Sequence, residues 1–265
     1  METGQQGVTS MSLQIPAFDG EIMQHASRLV AGSRDSRNLG YASVGMRCRP
    51  GVGATSTRAA NAMPDYKLES LHDGLVAGVD EAGRGPWAGP VIAAAVILDP
   101  IRIPDGIDEC RRLTLQQRDR AYDAICRNAS AFAIGEASVA EIDRVGVVAA
   151  SLLAMERAVA WLTQKPTLVL VDGNRAPKLT CKVETIVEGD AKSLSIAAAA
   201  IVAKVYRERM MCELDRRHPG YGFARNKGYG TRDHARALDH LGTSCQHRRS
   251  FTTFNQNQIL WSAAE

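Results

Sequence analysis

Several features that would fix the class of this 265-residue chain at once are missing from it. No uncharged apolar run reaches the ~18 residues needed to cross a bilayer, which excludes a helical membrane span and leaves no membrane partner to expect. The first residues do not combine a basic end with an apolar stretch, so a secretory leader is not expected. Cysteine is sparse: Cys48, Cys110, Cys126, Cys181, Cys212 and Cys245 lie far apart, and no two form a Cys-x-x-Cys pair. That spacing argues against a zinc site or a disulfide scaffold and suits a reducing cytoplasm, the expected location. Lysine is absent from residues 1–62, and residues 63–265 hold no internal repeat and no low-complexity tract.

What is present is the mix of an ordinary globular protein, 45% apolar and 23% charged, long enough for one large domain or two small ones. The net charge of +3 hides an uneven spread. Residues 63–203 carry 15 basic and 19 acidic side chains, whereas residues 204–251 carry 11 basic and five acidic ones together with four of the six histidines. A basic segment beside an acidic body suits a polyanion, and suits a solvated helical face equally well. Residues 1–62 contain eight Gly and seven Ser, and only residues 21–30 hint at a helix. So little apolar surface cannot offset the entropy of ordering, and a disordered extension is expected there. A start assigned too far upstream, with Met63-Pro64-Asp65-Tyr66 as the true beginning, explains the same composition.

From residue 75 the pattern sharpens. Residues 75–79 and 91–98 are apolar runs that read as buried strands. Thr114 caps a helix over about 115–127, and residues 131–137 read as a third strand. Helices are expected at 139–144 and 148–163, the second with Leu152, Met155, Val159 and Leu162 on one face. Strands follow at 167–171 and 182–187. A long helix over about 193–217, stopped by His218-Pro219-Gly220, and another over about 231–241 close the pattern. Strands that come first as neighbours and then alternate with helices imply an α/β fold, a mixed sheet with a helical appendage.

Three acidic clusters share one address. Asp80-Glu81 ends the first strand, Asp172 the fourth, and Asp190 follows the fifth. A lone acid at a strand end is usually a turn or cap residue. If these strands lie side by side, however, the carboxylates converge at one sheet edge, and their repulsion calls for a cation. Oxygen donors with no histidine nearby suit Mg²⁺ or Mn²⁺ rather than zinc. Gly83-Arg84-Gly85-Pro86 and Gly89-Pro90 expose backbone that a ligand can approach closely, or form a tight strand-to-strand turn. The third glycine falls one residue late for a dinucleotide-binding loop.

Asp80-Glu81-Ala82-Gly83-Arg84-Gly85-Pro86 resembles the signature of bacterial ribonuclease HII, the type 2 ribonuclease H family. The resemblance continues in order through Leu170-Val171-Asp172-Gly173-Asn174-Arg175, Glu188-Gly189-Asp190-Ala191-Lys192-Ser193, Ala203-Lys204-Val205, Tyr221-Gly222-Phe223, Asn226-Lys227-Gly228-Tyr229-Gly230 and His247-Arg248-Arg249-Ser250-Phe251, covering about residues 75–254. It implies a ribonuclease H-like core with a mixed five-stranded sheet flanked by helices and a helical C-terminal part. It also implies Mg²⁺- or Mn²⁺-dependent cutting of the RNA strand of RNA–DNA hybrids and of DNA with embedded ribonucleotides. Carried over by position, Asp80, Glu81, Asp172 and Asp190 are the catalytic, metal-binding carboxylates. Gly83, Arg84 and Gly85 would read the ribose 2′-OH through their backbone, together with Tyr229. Two ions held by carboxylates suit an in-line displacement at phosphorus, and the 2′-OH is the group that separates RNA from DNA.

The basic segment then has a task. Lys204 and Arg207, three apart on one helix, with Arg225, Lys227, Arg248 and Arg249, are candidates for phosphate contacts. The implied division is a catalytic core over 63–203, a basic substrate-binding part over 204–254 and a tail over 255–265, working as a monomer. The chain departs from the family at Asp108-Glu109-Cys110-Arg111-Arg112-Leu113-Thr114, where members commonly show Asp-Ser-Lys-Lys-Leu-Ser, and at Ala200, where a Ser is common. Arg111 can stand in for the missing lysine with different geometry, and the lost hydroxyl at residue 200 costs roughly 1 kcal/mol. Two other readings remain: another carboxylate nuclease or transposase-like enzyme, which has no reason to keep Gly83-Arg84-Gly85 with Tyr229, and a non-catalytic hybrid-binding protein.

Overall fold

Strand β2 (Val91–Ile97) has no polar side chain and is buried along its whole length, because the sheet that contains it is covered on both faces. The computed structural model describes residues 63–251. Strands β1 (Val76–Ala82), β2, β3 (Ala131–Ala137), β4 (Leu168–Asp172) and β5 (Lys182–Ile186) form one sheet in the order β3-β2-β1-β4-β5. β1, β2 and β3 pair antiparallel, while β4 lies parallel to β1 and β5 parallel to β4. This is the mixed five-stranded sheet expected from the sequence.

The helices are α1 (Lys67–Ser70), α2 (Leu115–Asn128), α3 (Val139–Val145), α4 (Val147–Ala160), α5 (Leu194–Arg217), α6 (Phe223–Asn226) and α7 (Arg232–Leu241). A single 3₁₀ turn, Gly189–Ala191, precedes α5. Alternation along β2 sends Val91, Ala93, Ala95 and Ile97 to the face covered by α4, where they meet Ala150, Ala154, Met155 and Ala158. Ile92, Ala94 and Val96 point the other way, to α2 and to the alanine-rich first half of α5. That helix packs close enough that a Cβ on Gly78 of β1 would lie 2.0 Å from the Ser195 carbonyl carbon. Helix starts follow local chemistry. Thr114 with Gln117, and Ser138 with Glu141, form reciprocal capping boxes, and Ser193 and Thr231 cap α5 and α7.

Two features depart from the sequence reading. β1 continues past the apolar run through Asp80 and Glu81 to Ala82, because it pairs with β2 as far as Ala82 opposite Ile92. The four-residue helices α1 and α6 were not foreseen, since one turn shows no 3.6-residue period. The long helix expected over about 193–217 is α5, which crosses residues 203 and 204, so the acid-bearing core and the basic part share it. The expected extension over 1–62, and the residues after Phe251, lie outside the described residues. Among the described residues no helix is long and apolar enough to cross a membrane.

Candidate active site

The parallel ladder that pairs Val79 with Val171 brings Asp80 and Asp172 to its next step, on strands ~4.8 Å apart. Asp80 lies opposite Ala94, on the sheet face that α5 covers. Glu81, one residue on, turns to the α4 side and lines a cleft with Arg84, Ser151, Leu152, Asp172 and Gly173. Asp190 sits in the 3₁₀ turn, which is fastened to β4 because the Gly189 N–H donates to Asp172 Oδ1 at 2.7 Å. Asp80 Oδ1 accepts the Glu81 N–H at 2.6 Å, and Arg84 Nη1 donates to Glu81 Oε1 at 3.2 Å. Four acids from three distant segments thus share one sheet edge.

They disturb one another electrically. Burial, then the charges of Glu81 and Asp172, holds the Asp80 carboxyl well above the usual carboxylate range. Burial also raises Glu81, with Arg84 opposing, and Asp190, where Asp172 and Glu109 add to the effect and Arg111 opposes it. Arg111 and Glu109, from the stretch that departs from the family pattern, therefore both act on Asp190. Its third unusual residue, Cys110, is buried instead, with Arg118 Nη1 donating to its carbonyl at 3.3 Å. Among the described residues no three His, Cys, Asp or Glu side chains close into a ready coordination shell. Glu81 is drawn to Arg84, and Asp172 to Gly189. The donor set nevertheless fits a hard divalent ion: it is all oxygen, and its mutual repulsion is the cost that a bound cation relieves.

The glycine-rich loop between β1 and β2 follows these acids. Gly83 has φ +98°, and a Cβ there would stand 2.2 Å from Arg207 Nε. Gly85 differs: a Cβ there would meet only Tyr229 Cε1, at an ordinary 3.6 Å. Gly85 is exposed and Tyr229 is 50% exposed, so loop and ring form one open surface beside the acids. The 226–230 loop is tied to this one by the Trp87 and Ala88 N–H groups, which donate to the Gly228 carbonyl at 2.8 and 3.3 Å.

Two expected phosphate contacts are corrected here. Arg207 is only 4% exposed and donates to the carbonyls of Pro90, Ala88 and Lys227 at 3.0–3.1 Å. Arg248 is fully buried and donates to the carbonyls of Gly83, Arg84 and Gly89 at 2.6–2.9 Å. Both point inward, because the carbonyls of these tight loops need donors, and neither can reach a phosphate. Lys204 stays at the surface with Glu208 at 3.7 Å, and Arg225 and Arg249 are exposed.

Two groups escaped the sequence reading. Glu69 of α1 is buried, and its Oε1 accepts from Ser193 Oγ at 2.6 Å and from the Ser195 N–H at 2.8 Å, fastening α1 to the start of α5 just beyond Asp190. Nothing in the pattern around residue 69 signals this. The buried pair His234 and His247 joins Nε2 to Nε2 at 3.0 Å. Because the Ser244 N–H donates to His247 Nδ1, the chain of donors runs from Ser244 through both rings, and His234 Nδ1 donates to the Tyr229 carbonyl at 2.9 Å. The excess of histidine in the basic segment was the only trace of it.

Comparison with known proteins decides the family. The ribonuclease HII profile matches residues 77–254. The chain belongs to the ribonuclease HII family. It is 54% identical over 185 residues to ribonuclease HII 1 of Methylibium petroleiphilum, covering 70% of this chain and 93% of that protein. To ribonuclease HII of Ruegeria pomeroyi it is 48% identical over 219 residues, covering 81% and 90%. Ribonuclease H2 from Pyrococcus horikoshii superposes with a TM-score of 0.59 at 25% identity, over 69% of this chain and 96% of that one. Bst ribonuclease HIII, solved in complex with Mn²⁺, superposes with a TM-score of 0.57 at 18% identity, over 78% and 77%, which is a likeness of fold. This ribonuclease HII is a hydrolase, an endoribonuclease of RNA–DNA hybrids in a divalent-metal-dependent family. The transposase-like and non-catalytic readings are set aside.

Proposed function

We propose that this ribonuclease HII cuts not only continuous hybrids but also at a single ribonucleotide embedded in duplex DNA, with Asp80, Glu81, Asp172 and Asp190 as its catalytic carboxylates. The observation that carries this is the half-exposed Tyr229 ring against exposed Gly85, three residues beyond the strand that bears Asp80 and Glu81. A reader of one sugar thereby adjoins the acids. When bound, a pair of Mg²⁺ or Mn²⁺ ions held by the four carboxylates supplies the charge that activates water and stabilises the leaving 3′ oxygen.

The chain's own residues do the rest. Asp172 is tied through Gly189 to the turn that carries Asp190, and Glu81, paired with Arg84, would be a further carboxylate to hold an ion. The Gly83-Arg84-Gly85 backbone and the Tyr229 hydroxyl meet the 2′-OH, donating to it and accepting from it. Lys204, Arg225, Lys227 and Arg249 approach the phosphates, and Arg111 takes the place of the family lysine near Asp190. Residues 63–203 supply the acids and residues 204–254 grip the duplex, in a monomer. The test is cutting of a duplex with one ribonucleotide, with Mg²⁺, with Mn²⁺ and with EDTA. Cutting at the ribonucleotide with either ion and none in EDTA is expected. An intact single-ribonucleotide duplex alongside a cut hybrid refutes the proposal, and cutting in EDTA refutes the metal assignment.

A further inference from the structure

Arg207 and Arg248 are costly residues. Each buries its guanidinium, Arg207 at 4% exposure and Arg248 at 0%. The hydrogen bonds of both side chains go to backbone oxygen. Arg248 spends its fork on consecutive residues: Nη1 donates to the Arg84 carbonyl at 2.9 Å and Nη2 to the Gly83 carbonyl at 2.6 Å, while Nε and Nη2 hold the Gly89 carbonyl at 2.9 and 2.7 Å. The Phe251 ring covers its guanidinium at 5.1 Å. Arg207 fastens the far end of the same loop at Ala88 and Pro90 and fills the space that a side chain on Gly83 would need. Burial, and then the neighbouring Arg207 charge, lowers the Arg248 pKa, with the Asp143 charge opposing them.

The direction of these bonds fixes something else. A peptide unit is planar and trans, so its C=O and N–H point opposite ways. With the Gly83 and Arg84 carbonyls drawn inward, the N–H groups of the same two peptide units, those of Arg84 and Gly85, point outward. Neither donates to another backbone group among the described residues, and both residues are exposed beside Tyr229. We propose that Arg248, backed by Arg207, is a specificity-determining positioning residue: by holding the Gly83 and Arg84 carbonyls inward it aims the Arg84 and Gly85 N–H groups at the ribose 2′-oxygen beside the cut. This rests on the single-ribonucleotide reading above. A lysine cannot replace the arginine, because one ammonium lacks the planar fork that spans adjacent carbonyls.

The experiment compares the full-length wild type with Arg248→Lys on a duplex holding one ribonucleotide and on a long RNA–DNA hybrid, with kcat and KM measured separately. The ratio of kcat/KM, single ribonucleotide over hybrid, should fall at least tenfold, mainly through KM. A merely structural arginine would lower the active fraction and leave that ratio unchanged, and an unchanged ratio overturns the proposal. Should Arg248→Lys fail to fold, the wild type decides by ¹H–¹⁵N spectra in EDTA. The Arg84 and Gly85 amides should shift with the one-ribonucleotide duplex and stay in place with the all-DNA duplex. Equal shifts with both duplexes, or none, overturn it. Failure of the underlying reading looks different, because the wild type itself then leaves the embedded ribonucleotide uncut.

Discussion

Alanine at Gly83 and alanine at Gly85 separate packing from recognition two residues apart. At Gly83 the backbone lies at φ +98°, where a side chain costs ~1–2 kcal/mol. Its methyl would stand 2.2 Å from Arg207 Nε, 2.6 Å from Cδ and 2.9 Å from the Pro90 oxygen. Arg207 cannot swing away, because three carbonyls hold it. Overpacking therefore adds ~1–3 kcal/mol, and losing one hydrogen bond from the buried guanidinium adds ~1.5–3 kcal/mol. Even the low ends total about 3.5 kcal/mol, which lowers the melting temperature of a domain this size by at least ~7 °C. At Gly85 φ is not positive, and the nearest contact is ordinary. Gly85→Ala should melt within ~2 °C of wild type yet cut a single embedded ribonucleotide at least tenfold more slowly, since its methyl occupies the open surface beside Tyr229. Thermal unfolding and a cleavage assay on both variants read the two effects. Gly83→Ala melting with the wild type would refute the fixed Arg207, and Gly85→Ala cutting normally would refute the close approach.

Asp80→Asn should abolish cutting while hybrid binding survives. It should also melt higher than wild type in EDTA at pH 8, because the raised Asp80 pKa means that the fold loses stability as the carboxyl ionises; a lower melting temperature contradicts this. Tyr229→Phe should slow cutting at one embedded ribonucleotide more than on a long hybrid, where neighbouring contacts compensate, and equal effects would remove the hydroxyl from recognition. Glu69→Ala strips the partner from Ser193 and from the Ser195 N–H, which should cost about 2–4 kcal/mol and reduce activity through Asp190, as urea unfolding and cleavage together would show. Burial, then the nearby His234, pushes His247 down to about 4, and burial lowers His234 as well. Both rings are neutral in the fold, so their contribution is complete above the ordinary pKa of ~6.5 and drains away as pH falls towards 4. Urea unfolding at pH 7 and pH 5 should show a smaller loss in His247→Gln than in wild type, and identical losses would exclude the pair as the cause.

The sheet was legible because its signal is local. The apolar run of β2 and the turn residues around it name a buried strand without reference to the rest of the chain, and Thr114 marks a helix start by itself. The acids at the ends of β1 and β4 were legible for the same reason, although β1 runs on through them because ladder pairing outlasts the apolar run. Partners distant in the chain were not legible. A charged residue in a basic segment reads as solvated, and only the fold shows that Arg207 and Arg248 turn inward to loop carbonyls, or that Glu69 meets Ser193 across 124 residues. Gly83 and Gly85 look alike in sequence, yet one is demanded by Arg207 and the other by nothing inside the protein.

The bond between Arg248 and the Gly83 carbonyl spans 165 residues. The strands bearing the acids are complete by Ile186, and Asp190 follows four residues later. The loop beside them is locked only when residue 248 arrives. Closing a loop that long is entropically slow, and in synthesis the segments that carry the acids leave the ribosome before the residue that holds the loop. A chain paused at that stage would hold acids without discrimination, and stopped-flow refolding should show hybrid binding recovering ahead of preference for the single ribonucleotide.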